Sequence, residues 1–91
     1  MVISYDPAKN AQNIRKHGLA FDACYAFNWE TAITIIDVRK DYGETRYIAT
    51  GYYTKRLHVV CYVETRDGIR VISFRKANAR ERVRYEEKID Q

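Results

Sequence analysis

Residues 45–75 decide the fold, and they read T-R-Y-I-A-T-G-Y-Y-T-K-R-L-H-V-V-C-Y-V-E-T-R-D-G-I-R-V-I-S-F-R. The segment is rich in β-branched and aromatic residues, which favour strands. Turn residues interrupt it at Thr54-Lys55-Arg56 and at Asp67-Gly68. The pattern therefore predicts consecutive antiparallel strands over Thr45–Tyr53, Leu57–Arg66 and Ile69–Arg75.

Asp67-Gly68 is the strongest turn signal in the chain, because a two-residue type I′ turn requires positive φ. Such a turn pairs Arg66 with Ile69 and fixes which side chains share a face of the sheet. One face then carries Val59, Cys61, Val63, Ile72 and Phe74, and the other carries Val60, Tyr62, Glu64, Val71, Ser73 and Arg75. We expect helices on the first, apolar face and a ligand on the second, mixed face. A bulge would exchange these assignments.

The N-terminal part of the sequence predicts a helix before the sheet. Asp6 is placed to cap a helix over Pro7–His17, and Gly18 is placed to end it. The other elements predicted here are a β-prone start at Val2–Tyr5, a second short helix over about Phe21–Trp29 and a strand over Thr31–Asp37.

The C-terminal part predicts one more helix, because Asn78 and Glu81 have the spacing of a capping pair. Its basic side chains form either a solvated face or a contact for a polyanion. All these elements together predict an α+β fold with helices at the N-terminus, a mostly antiparallel sheet of about four strands and a C-terminal helix. With 91 residues and 46% hydrophobic residues, the chain is expected to form a single domain over residues 1–91.

Charge is unevenly distributed along the chain. Residues 1–45 contain five Lys or Arg and six Asp or Glu, a net charge of −1, whereas residues 46–91 contain eleven and six, a net charge of +5. Ten of the sixteen basic residues are Arg, whose planar fork suits phosphate and carboxylate. The basic half indicates a polyanionic or acidic partner, although a net charge of +4 is also common among ordinary soluble domains.

Features that the sequence lacks exclude several classes of protein. No uncharged apolar run approaches the roughly 18 to 20 residues that cross a bilayer, and the N-terminus has no signal-peptide pattern, so a cytoplasmic protein without membrane contact is expected. Cys24 and Cys61 have no metal-ligand spacing and are expected to be small buried residues. No Gly-rich phosphate loop or nucleophile motif is present, and neither a metal site nor a cofactor is expected.

The remaining Arg, Lys, His, Glu and Tyr side chains can support RNA cleavage, because the 2′-OH of RNA is an internal nucleophile. The protein then needs to deprotonate that hydroxyl, stabilise the charge at phosphorus and protonate the departing 5′-oxygen. Arg75 followed by Lys76 is the best placed phosphate-binding pair, since an Arg on a central strand needs a partner.

Other candidates have a structural interpretation beside the functional one. His17 either caps the end of the first helix or serves the active site. Glu44 and Arg46 form either a plain ion pair or half of a phosphate site. His58, inside a strand, is expected to be an edge or core residue.

Three motifs resemble a known family. They are K-H-G at Lys16–Gly18 followed by Phe21, D-Y-G-E-T-R-Y-I at Asp41–Ile48 followed by Gly51, and R-V-I-S-F-R-K-A-N-A-R-E-R-V-R-Y at Arg70–Tyr85. In this order, over nearly the whole chain, they resemble the BrnT toxin family of type II toxin-antitoxin systems. The chain departs from the family pattern where a capping Ser, a small residue and a Thr are usual, at Ala20, Phe74 and Asn78 respectively.

The resemblance implies a small RelE-like ribonuclease toxin that arrests growth by cutting RNA. It also implies a BrnA-like antitoxin whose ribbon-helix-helix part binds operator DNA and represses the operon. A dimeric antitoxin would present two toxins and give a 2:2 complex. Carried over by position, the motifs give weight to Lys16, His17, Glu44, Arg46, Arg75, Lys76, Glu81 and Tyr85.

The leading hypothesis is a metal-independent endoribonuclease without a cofactor. Its expected catalytic residues are His17, Glu44, Arg46, Arg75 and Tyr85. Among these residues the two arginines would hold the scissile phosphate together with Lys76, and the other three would move protons. RNA binding is expected from Lys16, Lys76 and Arg80. The alternative is a non-catalytic basic module that holds nucleic acid or an acidic protein partner.

Overall fold

The computed structural model describes residues 1–90, which form a five-stranded sheet with helices at both ends of the chain. In chain order the elements are β1 (Val2–Ser4), α1 (Pro7–His17), a 3-10 helix (Phe21–Ala26), β2 (Ile33–Ile36), β3 (Tyr47–Tyr53), β4 (Arg56–Glu64), β5 (Gly68–Lys76) and α2 (Ala79–Ile89). Across the sheet the strand order is β1-β5-β4-β3-β2, and only the pairing of β1 with β5 is parallel.

The predicted α+β class, with helices at both ends and a mostly antiparallel sheet, is confirmed. The sheet has five strands rather than about four, because the three-residue β1 adds to β5. A strand this short has too little side-chain pattern to reveal its partner. The second helix is also shorter than expected, since it is a 3-10 helix that ends at Ala26.

Local capping signals are confirmed at three positions. The Asp6 carboxylate accepts from the Ala8 N–H at 2.9 Å, and Gly18 ends α1 with φ 70°. Asn78 accepts from the Glu81 N–H at 2.8 Å while Glu81 accepts from the Asn78 N–H at 2.9 Å, which is a reciprocal capping box.

The turn between β4 and β5 was predicted one residue too late. Thr65 and Gly68 bond to each other across the turn, so Arg66 and Asp67 are its two central residues. Gly68 is the first residue of β5, and its φ is not positive. Glycine is required there because a Cβ atom would overlap the backbone of Val2, where β1 runs alongside β5.

The predicted register of β4 and β5 is wrong as a consequence. Ile69 pairs with Glu64 rather than with Arg66, a shift of two residues along β4. Because side chains alternate between the faces with a period of two, this shift leaves the assignment of faces unchanged near the turn. A bulge opposite Cys61 and Tyr62 then inserts Ile72 without a partner. Beyond this bulge the assignment is exchanged, so that Val60 pairs with Phe74, and Ser73 and Arg75 share a face with Cys61 and Val59.

The two faces of the sheet are covered differently. We call the face that carries Val60 and Phe74 the inner face; α1 and the 3-10 helix cover it and bury both residues completely. We call the face that carries Val59 and Arg75 the outer face. Of the helices in residues 1–90, α2 alone packs on the outer face, where Tyr85 joins a smaller buried cluster with Leu57, Val59 and Ala77. Much of the outer face is therefore left open.

Both cysteines are free thiols. Cys24 is buried in the main core as expected, and burial raises its pKa to about 12. Cys61 is only half-buried, on the outer face, and burial raises its pKa as well.

Asn13 of α1 fastens the helix to the open edge of β5. β1 pairs only with residues 68–70 of β5, so no strand among residues 1–90 covers the rest of that edge. The buried Asn13 amide accepts from the Phe74 N–H at 3.1 Å and donates to the Phe74 carbonyl at 2.8 Å, as a neighbouring strand would. It also donates to the Leu19 carbonyl at 2.8 Å. The contact blocks this edge and sets the position of α1.

Candidate functional site

The centre of the candidate site is an ion pair on the outer face between Arg75 of β5 and Glu81 of α2. Nη1 and Nη2 of Arg75 each donate to one carboxylate oxygen of Glu81 at 2.8 Å, which is a bidentate contact. The hydrogen bonds from Arg75 hold the pKa of Glu81 below its usual range, and Glu81 raises the pKa of Arg75. The contact with Glu81 fixes the Arg75 guanidinium in place. The Arg75 side chain remains 34% exposed, so the guanidinium is still accessible to a ligand.

A second group of charges lies where β3 begins. Glu44 accepts from Nη2 of Arg70 at 2.9 and 3.0 Å, and Nε of Arg46 lies 3.6 Å from the same carboxylate. These contacts, chiefly the one with Arg70, lower the pKa of Glu44. The Arg46 guanidinium stacks 4.0 Å from the centre of the Tyr42 ring, and its buried Nε has no hydrogen-bond partner among the described residues. The expected Glu44–Arg46 pair is thus a cluster in which Arg70 is the main partner.

A third pair was missed by the sequence analysis. Asp37 is buried, and both of its oxygens accept from the Arg39 side chain at 2.8 Å. Tyr42 donates its hydroxyl to the same carboxylate at 3.0 Å. These hydrogen bonds hold the pKa of Asp37 well below its usual range. The available signal was an Asp at a strand end followed two residues later by an Arg, a pattern too common to be decisive.

The three pairs border a common surface around Cys61. Strand pairing places Cys61 beside Ser73 and Ile48, in the row of the outer face next to the one that carries Arg75. The charges of Arg39 and Arg46 both act on the Cys61 thiol, and Arg39 also acts on Arg75. We call the area bordered by Arg39, Arg46, Arg70 and Arg75 the cationic surface. Because carboxylates hold these arginines in position, the arginines need little reordering to receive a phosphate.

His17 lies beside this surface, at the end of α1 and next to the open edge of β5. It lines a groove of about 230 Å³ together with Lys16, Lys9 and Ser73. Burial, Lys16 and Arg75 lower the pKa of His17, in that order of importance. The imidazole is therefore mainly neutral near pH 7, the form that accepts a proton.

Other predicted site residues lie apart from this surface. Lys76 pairs with His58 and so points to the inner face, opposite to Arg75. Arg80 is exposed in the first turn of α2. Tyr85 is buried, and its hydroxyl donates to the Thr31 carbonyl at 2.9 Å. The charge of Arg75 thus acts on the pKa of His17, whereas the Tyr85 hydroxyl is engaged with a backbone carbonyl.

The core interpretation of His58 is confirmed. The side chain is buried, its Nδ1 lies 2.8 Å from the Arg56 carbonyl, and the ring packs on Tyr53 and Phe74. Burial lowers the pKa of His58, so the ring is neutral in the folded protein near pH 7.

Residues 1–90 lack both a membrane-spanning helix and a cluster of metal ligands. None of their helices is both long and apolar enough to cross a membrane. Over the same range, no three side chains of His, Cys, Asp or Glu are grouped so that they could hold a metal ion.

Comparison with known families decides what kind of protein carries this site. The profile of a family described as the ribonuclease toxin BrnT of type II toxin-antitoxin systems matches residues 5–81. The chain belongs to this family. It is also similar to the crystal structure of the Brucella abortus ribonuclease toxin BrnT, with 28% identity and a TM-score of 0.62, over 84% of this chain and 95% of the other. No curated protein matches the sequence.

The departures from the BrnT pattern have local explanations. Ala20 offers no side-chain cap, but Oδ1 of the Asn10 side chain accepts from the Phe21 N–H at 2.8 Å and takes its place. Phe74 is completely buried on the inner face, so its bulk lies away from Arg75. Asn78 caps α2 as Thr would. None of the three changes affects the cationic surface.

Proposed function

We propose that this BrnT-family protein is an endoribonuclease toxin that cleaves RNA by attack of the 2′-OH and needs no metal ion for the chemical step. The observation that carries the proposal is the half-exposed Arg75, fixed by Glu81 and lying near a neutral His17. In the proposed reaction Arg75 supplies a cation for the phosphorane charge, and His17 supplies a base for the 2′-OH. Cutting RNA would block translation and stop growth.

Each candidate residue then has a distinct proposed role. Arg75 and Arg46 bind the scissile phosphate, and Arg75 stabilises the charge of the transition state. His17 removes the 2′-OH proton and, once protonated, can return it to the departing 5′-oxygen. Glu44, whose pKa is lowered by Arg70, is a second group that can accept a proton. Lys16 lines the groove beside His17 and extends the cationic surface toward the substrate.

The remaining candidates support different parts of the proposal. Lys76 and Arg80 are exposed and are proposed to contact RNA outside the scissile phosphate. Tyr85 is proposed to support the fold rather than to transfer a proton, because its hydroxyl already donates to a backbone carbonyl. Its burial against Leu57 and Val59 fits this structural role.

A toxin of this kind requires an inhibitor in the cell that makes it. We propose a BrnA-like antitoxin with a ribbon-helix-helix part, a 2:2 complex that binds operator DNA, and a site of action in the cytoplasm. A dimeric DNA-binding antitoxin presents two equivalent toxin sites by symmetry, which supports this stoichiometry.

The decisive test uses purified protein and RNA in the presence of EDTA. We expect cleaved products ending in a 2′,3′-cyclic phosphate, no cleavage of an oligonucleotide with 2′-deoxyribose at the cut site, and growth arrest when the protein is expressed. The alternative, a basic binding module, predicts RNA binding that weakens log-linearly with salt and produces no fragments. Failure to cut free RNA and RNA on ribosomes would favour that module.

The pH dependence of cleavage provides a separate prediction about His17. His17 must be neutral to act as a base, and its pKa lies below the ordinary value of 6.5. Cleavage activity should therefore be kept at pH 6.5 and be lost as the pH falls through the lowered pKa of His17. Lys16→Gln removes a positive neighbour and should move the acid limb of kcat/KM to higher pH. Lys55→Gln, in the β3–β4 turn, should leave the limb in place.

Two further measurements complete this prediction. His58 also has a lowered pKa, so folding stability declines at acid pH, and circular dichroism must show folded protein at each point. His17→Gln should remove the acid limb together with most of the activity. An unchanged limb in both the Lys16 and the His17 variants would remove His17 from the mechanism.

A further inference from the structure

The edge of the sheet formed by β2 is open and apolar. Within the described part of the chain, β2 lies at the end of the strand order and pairs only with β3. Two neighbouring side chains of this strand, Ile35 and Ile36, point to opposite faces and are 56% and 54% exposed. Val38, just beyond the strand, is 85% exposed. Unlike the edge of β5, which Asn13 blocks, this edge is paired with no other strand of residues 1–90 and has apolar side chains on both faces.

A groove of about 440 Å³ continues from this edge between β2 and α2 on the outer face. Its floor contains Ile33 and Ile48, and its wall on the side of α2 contains Arg84 and Lys88. The two carboxylates of the lining, Asp37 and Glu81, are already bound by arginines. No carboxylate among residues 1–90 lies within ion-pair distance of Arg84 or Lys88. The groove is thus apolar at its floor and positive at its wall.

We propose that an extended segment of the antitoxin, apolar and acidic in composition, adds to β2 as a sixth strand and places side chains in this groove. Strand addition satisfies the free backbone groups of β2 and covers Ile35 and Ile36 from both sides. Acidic side chains of the segment meet Arg84 and Lys88. The proposed toxin function supplies only the identity of the partner; the location and chemistry of the surface come from β2 and α2.

Other occupants fit this surface less well. An RNA backbone would satisfy the two cations but would leave Ile35, Ile36 and Val38 in water. A second copy of the chain, pairing β2 with β2, would bring two positive groove walls into one interface. A segment that is both apolar and acidic matches the edge and the wall together.

The test titrates the purified protein encoded by the gene adjacent to this one against wild-type toxin and two matched pairs of variants. Ile35→Glu and Arg84→Glu alter the proposed surface. The two control variants make the same changes elsewhere. Ile14→Glu changes an exposed position of α1, and Arg82→Glu changes a position of α2 outside the groove lining. We expect the first two variants to bind about tenfold to a hundredfold more weakly, and the controls to stay within about threefold of wild type.

Hydrogen exchange provides a readout that does not depend on any variant. On binding, amides of residues 33–36 should become protected if a strand adds to β2, and protection confined to other elements would overturn the proposal. The proposal would also be overturned if all variants bound with equal affinity or if wild-type toxin did not bind. The same holds if the bound segment were helical, or if the toxin formed a dimer that Ile35→Glu dissociates. RNA cleavage is measured separately, so loss of the ribonuclease function leaves this result intact.

Discussion

Replacing Arg75 with Ala is expected to lower the rate of RNA cleavage by about 100- to 1,000-fold and to abolish growth arrest. Arg75 is the half-exposed guanidinium that Glu81 fixes on the outer face, beside His17. In the proposed reaction this guanidinium binds the phosphate oxygens, on which negative charge increases in the transition state. The loss should therefore appear mainly in kcat rather than in KM, and initial rates over a range of RNA concentrations measure both.

Two further variants separate this chemical role from folding. Arg75→Ala leaves the Glu81 carboxylate without its main partner, but Glu81 still accepts from the Asn78 N–H and α2 keeps its capping box. Arg75→Lys keeps the charge and loses the bidentate contact, so intermediate activity is expected. Glu81→Gln should lower activity less than Arg75→Ala, because the amide oxygen can still cap α2 and the Arg75 charge remains, although Arg75 is held less firmly. Full activity of correctly folded Arg75→Ala protein would contradict the role of Arg75.

Local sequence signals predicted much of the fold. Asp6, Gly18 and Asn78 act within a few residues of their own position, and the structure confirms the helix ends that they specify. Binary patterning likewise identified β3, β4 and β5, although their ends shift by one or two residues. Such elements depend on backbone dihedral preferences and on side-chain alternation, both of which a sequence displays directly.

Pairing between elements was predicted less well. The insertion of Ile72 exchanges the faces of β4 and β5 beyond the bulge, and nothing in the alternation of residues 68–76 distinguishes it from a regular strand. Gly68 was identified as important for the wrong reason, since the constraint comes from Val2, which is far away in the sequence. Contacts between distant segments depend on the whole packing, so one segment does not disclose them.

The candidate site shows the same division between local and distant information. Arg75 was correctly singled out as an arginine that needs a partner, because an Arg in a central strand is costly without one. Its actual partner, Glu81, had been assigned to capping and to the family motif but not paired with Arg75, and it serves as cap and as partner through its two oxygens. The union of Glu44 with Arg70, 26 residues away, had no local signal.

Asn13 connects the fold to this site. Its amide binds both backbone groups of Phe74 and so holds α1 against the edge of β5. His17 follows one helical turn later, and Arg75 follows Phe74 directly. One buried amide therefore determines how the proposed base is placed relative to the proposed phosphate-binding cation. The site depends on a long-range contact of a kind that sequence patterns do not reveal.

Asn13→Leu, which keeps the size of the side chain and removes its amide, is accordingly expected to lower the free energy of unfolding by about 3 kcal/mol. Three hydrogen bonds are lost, and the Phe74 N–H and carbonyl are left buried without partners. For a domain of this size the melting temperature should fall by roughly 12 to 24 °C. Urea unfolding followed by circular dichroism measures the change.

A matched control tests whether the burial of Asn13 is responsible. Asn28 is exposed and accepts one long hydrogen bond, 3.4 Å from the Thr31 N–H, so Asn28→Leu should change the unfolding free energy by less than about 0.5 kcal/mol. Below its own melting temperature, Asn13→Leu should also lose RNA cleavage, because α1 no longer fixes His17 beside Arg75. A stability within about 1 kcal/mol of wild type would show that α1 is held by its other contacts with β5.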